Sequence, residues 1–375
     1  MKVIITDVET RKAFDIFNII NNLKYKIIIG SEIDTFRRFI LSHIYSKKIV
    51  SLKNDDFRVF FDTLENSGEK YVFFPTEESS ILKFYDYISI KERDNLYYLL
   101  PPKKSFELVR DKGMFSSFCL KNNFPVPLEH KFQHLIDNEN IPSALILKPK
   151  IGSGSIGIRF IDSFSELSAL SHLKIDEYII QERLKNTKNV EGAFFLFNKG
   201  VFISYYGHKR LRTFPREGGV TVFSKFEYNE EIKNIGIELL VALNWSGLAM
   251  VEFLYDTKSK SYKIIEVNPR AWGSIMLSEF SGSKFITNYI HASMNEELEK
   301  ISVKKDSYIR WIFPWDVINY LKQMGNIQNF WSLEKETTCY INITYSSFRR
   351  STLYHMFNIF DPTKIKKLYR KVFKL

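Results

Sequence analysis

Met250-Val-Glu-Phe-Leu-Tyr-Asp256, followed after a short polar turn by Ile264-Ile-Glu-Val-Asn-Pro-Arg270, is the stretch that decides how this chain folds. Both runs alternate with the period of a strand. In the first, Val251, Phe253 and Tyr255 lie opposite Glu252 and Leu254; in the second, Ile265, Val267 and Pro269 lie opposite Glu266, Asn268 and Arg270. With Asp256-Thr-Lys-Ser-Lys-Ser261 as the connection, a hairpin brings Glu252, Glu266 and Asn268 onto one face, and Arg270 follows two residues later. Two carboxylates and an amide are hard oxygen donors, the kind magnesium takes when water and substrate phosphates complete its shell. An ordinary solvated hairpin would alternate in the same way. Leu254 on the acidic face, and Trp272 and Gly273 directly after Arg270, favour a cation clamp, because a purely solvated face needs none of them.

Outward from the hairpin, the 375 residues divide into three regions. Residues 1–105 open with a strand from Lys2 to Thr6, a helix from Arg11 to Leu23 and a strand from Tyr25 to Gly30, with a further apolar run at Lys70-Tyr-Val-Phe-Phe-Pro75. Alternating strands and helices predict a parallel sheet whose ligands sit at the strands' carboxyl ends. Asp7, Glu9, Thr10 and Arg11 stand at one such end, and Thr76, Glu77 and Glu78 at another. No glycine-rich fingerprint follows the first strand, so a dinucleotide site is not expected.

The second region, 106–300, opens after Pro101-Pro102 and carries most of the chemical signals. Leu145-Ile-Leu-Lys148-Pro-Lys-Ile-Gly152-Ser-Gly154-Ser-Ile-Gly157-Ile-Arg-Phe160 reads as strand, glycine and serine loop, strand. Glycines let backbone amides close on an anion, and Lys148 just ahead adds a charge aimed at phosphate. The loop is not a Walker A motif, since no Gly-Lys-Ser/Thr ends it. Downstream, Tyr178-Ile-Ile-Gln181-Glu182 is a short strand suited to presenting backbone groups to a base edge.

Together these residues resemble the ATP-grasp superfamily, which joins a carboxylate to an amine, thiol or similar nucleophile through an acylphosphate. The resemblance covers about 105–290. It implies an α/β fold (α+β in the ATP-grasp part): an N-terminal parallel-sheet domain and an ATP-grasp domain with a mobile lid at about 112–180. Residues 301–375, beyond the resemblance, read as a helical appendage packed on the sheet domain. The resemblance implies ATP and Mg2+ as cofactors, with Mn2+ as an alternative ion. It also implies roles for individual residues. Lys112 and Lys148 are the ATP lysines, and Gly152, Ser153, Gly154, Ser155 and Gly157 form the loop over the β- and γ-phosphates. Gln181, Glu182 and Leu184 are the adenine hinge and Glu191 the ribose contact. Glu252, Glu266 and Asn268 are the metal ligands. Arg270 and Lys148 are the residues that steady the transferred group.

A further run, Gly207-His-Lys-Arg210-Leu-Arg212-Thr-Phe-Pro-Arg216-Glu-Gly-Gly219, gathers four basic residues and a histidine before a Gly-Gly turn. It resembles a segment of the carboxylate-amine ligases, among them D-aspartate ligase, where a similar run borders the acceptor site. On strand alternation Arg210 and Arg212 share a face, and their guanidinium forks are expected to bind a substrate carboxylate. A basic surface loop balanced by Glu217 and Glu227 is the plainer alternative.

Composition sets the remaining limits. Hydrophobic residues at 45% and charged ones at 26% describe a globular chain rather than a disordered one. Cys119 and Cys339 are too far apart and too few for a zinc site or a disulfide framework, and suit a reducing cytoplasm. The apolar stretch after Met1 is too short for a signal peptide. The formal net charge is +11, and the last 75 residues hold 13 Lys and Arg against 5 Asp and Glu. Thr363-Lys-Ile-Lys-Lys-Leu-Tyr-Arg-Lys-Val-Phe-Lys-Leu375 reads as a basic amphipathic helix, which suits either docking on its own domain or lying on an anionic membrane at its inner face. The partners expected are small carboxylate and amine substrates. Three other readings stand beside this one: a ligase forming carbamoyl or carboxy phosphate from bicarbonate, a catalytically silent ATP-grasp scaffold, and a basic nucleic-acid-binding protein. The last leaves the acidic pair unexplained, so nucleic acid is not expected as a partner.

Overall fold

Runs such as Val3-Ile-Ile5 and Tyr71-Val-Phe-Phe74 are apolar without alternation, the mark of strands covered on both faces. They lie at the centre of a parallel sheet. The computed structural model describes residues 1–90, 93–152, 156–184, 190–214, 220–304, 307–312, 316–318, 338–341 and 348–361. Its first unit runs β1 (Lys2–Ile5), α1 (Arg11–Asn22), β2 (Lys26–Ser31), α2 (Thr35–Tyr45), β3 (Ile49–Ser51), α3 (Asp55–Thr63), β4 (Tyr71–Phe74), α4 (Glu78–Ile88) and β5 (Leu96–Tyr98). All strand pairings are parallel, in the order β3-β2-β1-β4-β5, as the alternation of elements predicts. Thr10 caps α1 by accepting from the Ala13 N–H, and Asp34 caps α2 through Arg37.

Helices α5 (Lys103–Arg110) and α6 (Lys112–Lys121) lead to a small antiparallel unit. This comprises β6 (Glu129–His130), α7 (Phe132–Asp137), β7 (Leu145–Pro149), β8 (Arg159–Ile161), α8 (Phe164–Ser168) and β9 (Tyr178–Glu182), with strand order β6-β9-β7-β8. It has a core of its own, including Leu135, Leu145, Leu147, Ile161 and Ile180. The expected lid boundary at 112 moves inward. Phe115 and Cys119 of α6 belong to the core behind the large sheet, so the separate small unit starts at Glu129.

The large sheet follows: β10 (Glu191–Asn198), β11 (Val201–Phe214), β12 (Val220–Phe226), α9 (Glu230–Ala242), β13 (Gly247–Asp256), β14 (Ser261–Asn268), α10 (Ile275–Phe280), α11 (Phe285–Ser293), β15 (Ser307–Arg310) and β16 (Thr338–Ile341). Its order is β14-β13-β10-β11-β12-β15-β16. Both faces are covered, which explains the unbroken Ala193-Phe-Phe-Leu-Phe197 run of β10, every residue of it fully buried. Phe195, Val251 and Phe253 face the core shared with α9. Phe194, Tyr206, Leu248 and Met250 face the first unit and share one core with Val3, Ile5 and Phe17. Gly247 makes the approach between units possible: its φ is +83°, and a Cβ there would stand 2.2 Å from the Leu99 carbonyl oxygen.

Beyond residue 300 the region is not purely helical. β15 pairs with β12 and β16 adds in parallel, extending the sheet. The helix α12 (Phe348–Ile359) docks on the first unit rather than on the sheet: Tyr354 stacks on Phe14 at 4.0 Å and donates to the Glu9 carbonyl at 2.9 Å. It also packs beside α2, and its Arg350 lies over the Phe17 ring of α1. The terminal stretch Thr363–Leu375 lies outside the described residues, as does the Pro215–Gly219 part of the arginine run. Among the described residues no helix is long and apolar enough to cross a membrane.

If Tyr354 anchors the C-terminal region, Tyr354→Ala should lower the unfolding free energy by about 3 kcal/mol. Tyr354→Phe, which keeps the stack and loses one hydrogen bond, should cost about 1 kcal/mol. Urea denaturation followed by tryptophan fluorescence measures both; equal costs would show that the stack contributes nothing.

Candidate active site

Strands β13 and β14 pair with Glu252 directly opposite Glu266 and Met250 opposite Asn268. A bulge after Glu252 shifts the inward positions of β14, so Ile264 and Val267 face the core instead of Ile265 and Val267. The acidic face survives because the shift lies beyond Glu266. Two carboxylates side by side repel, and cations surround them. Arg210 Nη2 donates to Glu252 Oε1 at 2.8 Å, and Lys112 Nζ lies 3.6 Å from Glu266 Oε2. The amide of Asn268 donates to Glu266 Oε1 at 3.0 Å, and its oxygen accepts from Arg270 Nη2 at 3.0 Å. Burial pushes the Glu252 carboxyl above its ordinary range, the neighbouring Glu266 adds to this, and Arg210 opposes it.

Lys148 approaches the same cluster from β7. It is buried, its ammonium donates to Gln181 Oε1 at 3.1 Å, and burial lowers its pKa to about 8 despite the attraction of Glu266. Lys112, at the start of α6, donates to the Gly152 carbonyl at 2.8 Å, tying the β7–β8 loop to the large sheet. Gly152 and Gly157 both have positive φ, +142° and +77°. Ser153, Gly154 and Ser155 lie outside the described residues. At the end of β9 the Glu182 N–H donates to the Leu128 carbonyl and the Arg183 N–H to that of Ala144, and Leu184 follows half-buried.

Two expected members stand apart. Glu191 pairs with Phe253 while Gly192 pairs with Glu252, which puts Glu191 on the opposite face of the sheet; there it accepts from Tyr262 at 2.9 Å and from Asn229 at 3.4 Å. Arg212 does not share a face with Arg210. Arg210 pairs with Ser224 and Arg212 with the adjacent Phe223, so an irregularity at Leu211 turns the second arginine over. Arg212 lies over the Phe223 ring and meets Asp316 at 3.0 Å, beside Arg310.

The N-terminal sheet contributes residues that strand-end reasoning placed near a ligand without linking them to the hairpin. Glu77 and Glu78 stand 3.9 and 3.6 Å from Arg270 Nε, and Glu78 also accepts from Arg110 at 2.8 Å. Lys12, buried on α1, bridges Glu77 at 2.9 Å and the Ala271 carbonyl at 3.2 Å, its pKa lowered to about 8 by burial and by Arg270. Arg11 donates to the carbonyls of Gly273 and Thr221; a Cβ on Gly273 would meet its guanidinium at 2.7 Å, which accounts for the glycine after Trp272. His208 was one residue of a basic run, and no pattern singled it out. It is buried on the Glu252 face with Nδ1 2.8 Å from the Ser274 hydroxyl, and burial holds it well below its ordinary pKa.

Asp7, also at a strand end, is a structural group instead. At φ +56° its carboxylate accepts from Thr76, Ser80 and the Glu77 N–H, tying β1 to the start of α4.

The donor set fits a hard divalent ion. Among the described residues no group of three or more His, Cys, Asp or Glu converges, and magnesium needs only one or two carboxylates with phosphates supplying the rest.

Comparison with known proteins agrees with this geometry. A family model described as an ATP-grasp domain matches residues 109–274. By sequence the chain has no match among curated proteins. Among solved structures it resembles an N5-carboxyaminoimidazole ribonucleotide synthetase in complex with ADP (TM-score 0.63, 13% identity, 90% of this chain and 89% of that one). The synthetase from Thermotoga maritima is similar at TM-score 0.57 and 12% identity, over 80% of this chain and 78% of that one. The biotin carboxylase domain of the Hydrogenobacter thermophilus 2-oxoglutarate carboxylase, solved with MgADP, ADP and bicarbonate, is similar at TM-score 0.61 and 14% identity, over 82% and 73%. At these identities the likeness is one of fold.

Lys148 is charged below its pKa of about 8 and loses that charge above it. Affinity for a polyphosphate should therefore fall roughly tenfold per pH unit above 8 until the pKa of the bound state is reached. Lys148→Arg, whose guanidinium stays charged, should flatten the profile. Fluorescence titration with a nucleotide analogue from pH 7 to 9.5 measures this, and identical slopes for the two proteins would remove Lys148 from the anion site.

Proposed function

Because residues 109–274 form an ATP-grasp domain, we propose that the chain is an ATP-dependent ligase joining a small carboxylic acid, an amino acid among the candidates, to an amine. The observation that carries this reading is the paired Glu252 and Glu266, ringed by Lys112, Lys148, Arg210 and Arg270. The γ-phosphoryl group of ATP passes to an oxygen of the acid, leaving ADP and an acylphosphate. An amine then attacks the acyl carbon, phosphate departs, and the amine gives up a proton.

Each residue has a task in this scheme. Lys148 and Lys112 hold the phosphates under the Gly152–Gly157 loop, with Ser153, Gly154 and Ser155 supplying backbone amides. Gln181, Glu182 and Leu184 border the base. Glu252, Glu266 and Asn268 would hold Mg2+, with Mn2+ as an alternative, and the chemistry it would supply there is neutralisation of phosphate charge. Arg270, steadied by Asn268 and Glu78, faces the transferred group. Arg210 is the better acid-binding candidate, since Arg212 is engaged with Asp316 on the other face. Closure of the small unit would exclude the water that hydrolyses acylphosphates. A cytoplasmic setting, with the basic segment Thr363–Leu375 directed to the inner face of a membrane, belongs to the same reading.

A second reading takes bicarbonate as the acid and carboxyphosphate as the intermediate. It is favoured by the similarity to a carboxylase domain solved with that anion.

ADP release from MgATP, measured with pooled amino acids and amines and separately with bicarbonate, decides between the two. Turnover should require one acid class, and Glu266→Gln should lower it by about 10²-fold or more, the scale of losing an electrostatic stabiliser. If no pool stimulates turnover and MgATP leaves the melting temperature unchanged, the ligase reading fails.

A further inference from the structure

Helix α2 presents Phe36, Phe39 and Ile40 on one face, and α12 runs beside it with Leu353 and Met356, followed by Phe360. Between them lies a groove of about 1060 Å³. Three phenylalanines there stand mostly in water, with Phe36 71%, Phe39 62% and Phe360 70% exposed. Large contiguous apolar patches of this kind are rare on soluble surfaces and mark something that covers them. None of these residues belongs to the polar network of the active site.

The rim states the charge of the occupant. Arg37, Arg349 and Arg350 line the groove, and Lys47 and Lys48 line the adjoining hollow along the same helix. Asp34 and Asp361 line the groove as well, both against Arg37, and Asp56 lines the hollow beside Arg38, Lys47 and Lys48, so basic residues still outnumber acidic ones along this face. Beyond Asp361 the chain continues into Thr363–Leu375, with six more basic residues and no acidic one. A second copy packed about a two-fold axis would bring the basic excess of each rim against its own like charges.

An anionic bilayer satisfies both properties. We infer that the α2–α12 face is a membrane-docking surface that inserts Phe36, Phe39 and Phe360 at the level of acidic lipid headgroups while the basic rim binds their phosphates. Aromatic side chains favour that interfacial depth, and amphipathic surfaces of this composition bind in proportion to apolar area plus anionic charge. This goes beyond the proposed membrane-side location of the basic tail by assigning the anchoring face to another part of the molecule, and it is independent of which acid the enzyme uses.

The test is co-sedimentation of the full-length protein with vesicles of phosphatidylglycerol and phosphatidylcholine, against vesicles of phosphatidylcholine alone. Binding should occur only with the anionic vesicles and weaken as salt rises. The double variant Phe36→Ser/Phe39→Ser should reduce the partition coefficient by roughly tenfold or more, from the apolar area lost, and Arg349→Glu should reduce it as well. Both changes are at exposed positions, so the melting temperature and its response to MgATP serve as folding controls. The proposal is overturned if the wild-type protein ignores anionic vesicles, or if the double variant binds as well as wild type and the tail alone accounts for binding. It is also overturned if light scattering finds a wild-type dimer that the double variant dissolves without any vesicle binding. Failure of the ligase reading would appear in the ADP assay and leave the sedimentation result unaffected.

Discussion

Glu252 and Glu266 face one another across adjacent strands, and everything around them answers that juxtaposition. Like charges directly opposite in a sheet destabilise it, and partial burial raises the cost. Arg210, Lys112, Asn268 and, through Asn268, Arg270 meet the two carboxylates with complementary charge or a donated hydrogen bond. Lys148 lies near enough to feel Glu266 but gives its hydrogen bond to Gln181, so its charge is not consumed by a single carboxylate. This balance of charge is what the proposed binding of a polyphosphate with a divalent ion rests on.

The same cluster joins three units of the fold. Lys112 reaches from α6 to both Glu266 and the Gly152 carbonyl of the small unit, and Arg270 reaches to Glu77 and Glu78 at the carboxyl end of β4. Arg11 and Lys12 of α1 return the contact through the carbonyls of Gly273 and Ala271. Arg270 therefore stands between the N-terminal sheet and the large one. This is the crevice at strand ends where α/β folds place ligands.

The N-terminal parallel sheet and the antiparallel hairpin that gathers Glu252, Glu266, Asn268 and Arg270 were legible from period and order, and Lys148 joined them through the family resemblance. These features depend on local rules: unbroken apolar strands, period-two alternation and turn residues between them. Arg212 was misplaced by alternation, whereas Glu191, assigned only through the family resemblance, lies on the face opposite Glu252. Face assignment by alternation fails where register shifts or where a strand's start is uncertain, and a bulge leaves no mark in composition. The C-terminal region was misread because β15 and β16 are short and pair with strands distant in sequence, and because α12 docks on α1 more than 300 residues away.

The sequence by itself determined which residues carry charge and which strands present them, because side-chain chemistry and the pleat are local properties. Tertiary structure alone decided which charges meet. It set Arg210 rather than Arg212 against Glu252, brought Glu77, Glu78 and Lys12 to Arg270, and left Phe36, Phe39 and Phe360 in water. Those outcomes depend on strand register and on packing between elements distant along the chain, which pairwise proximity in sequence does not encode.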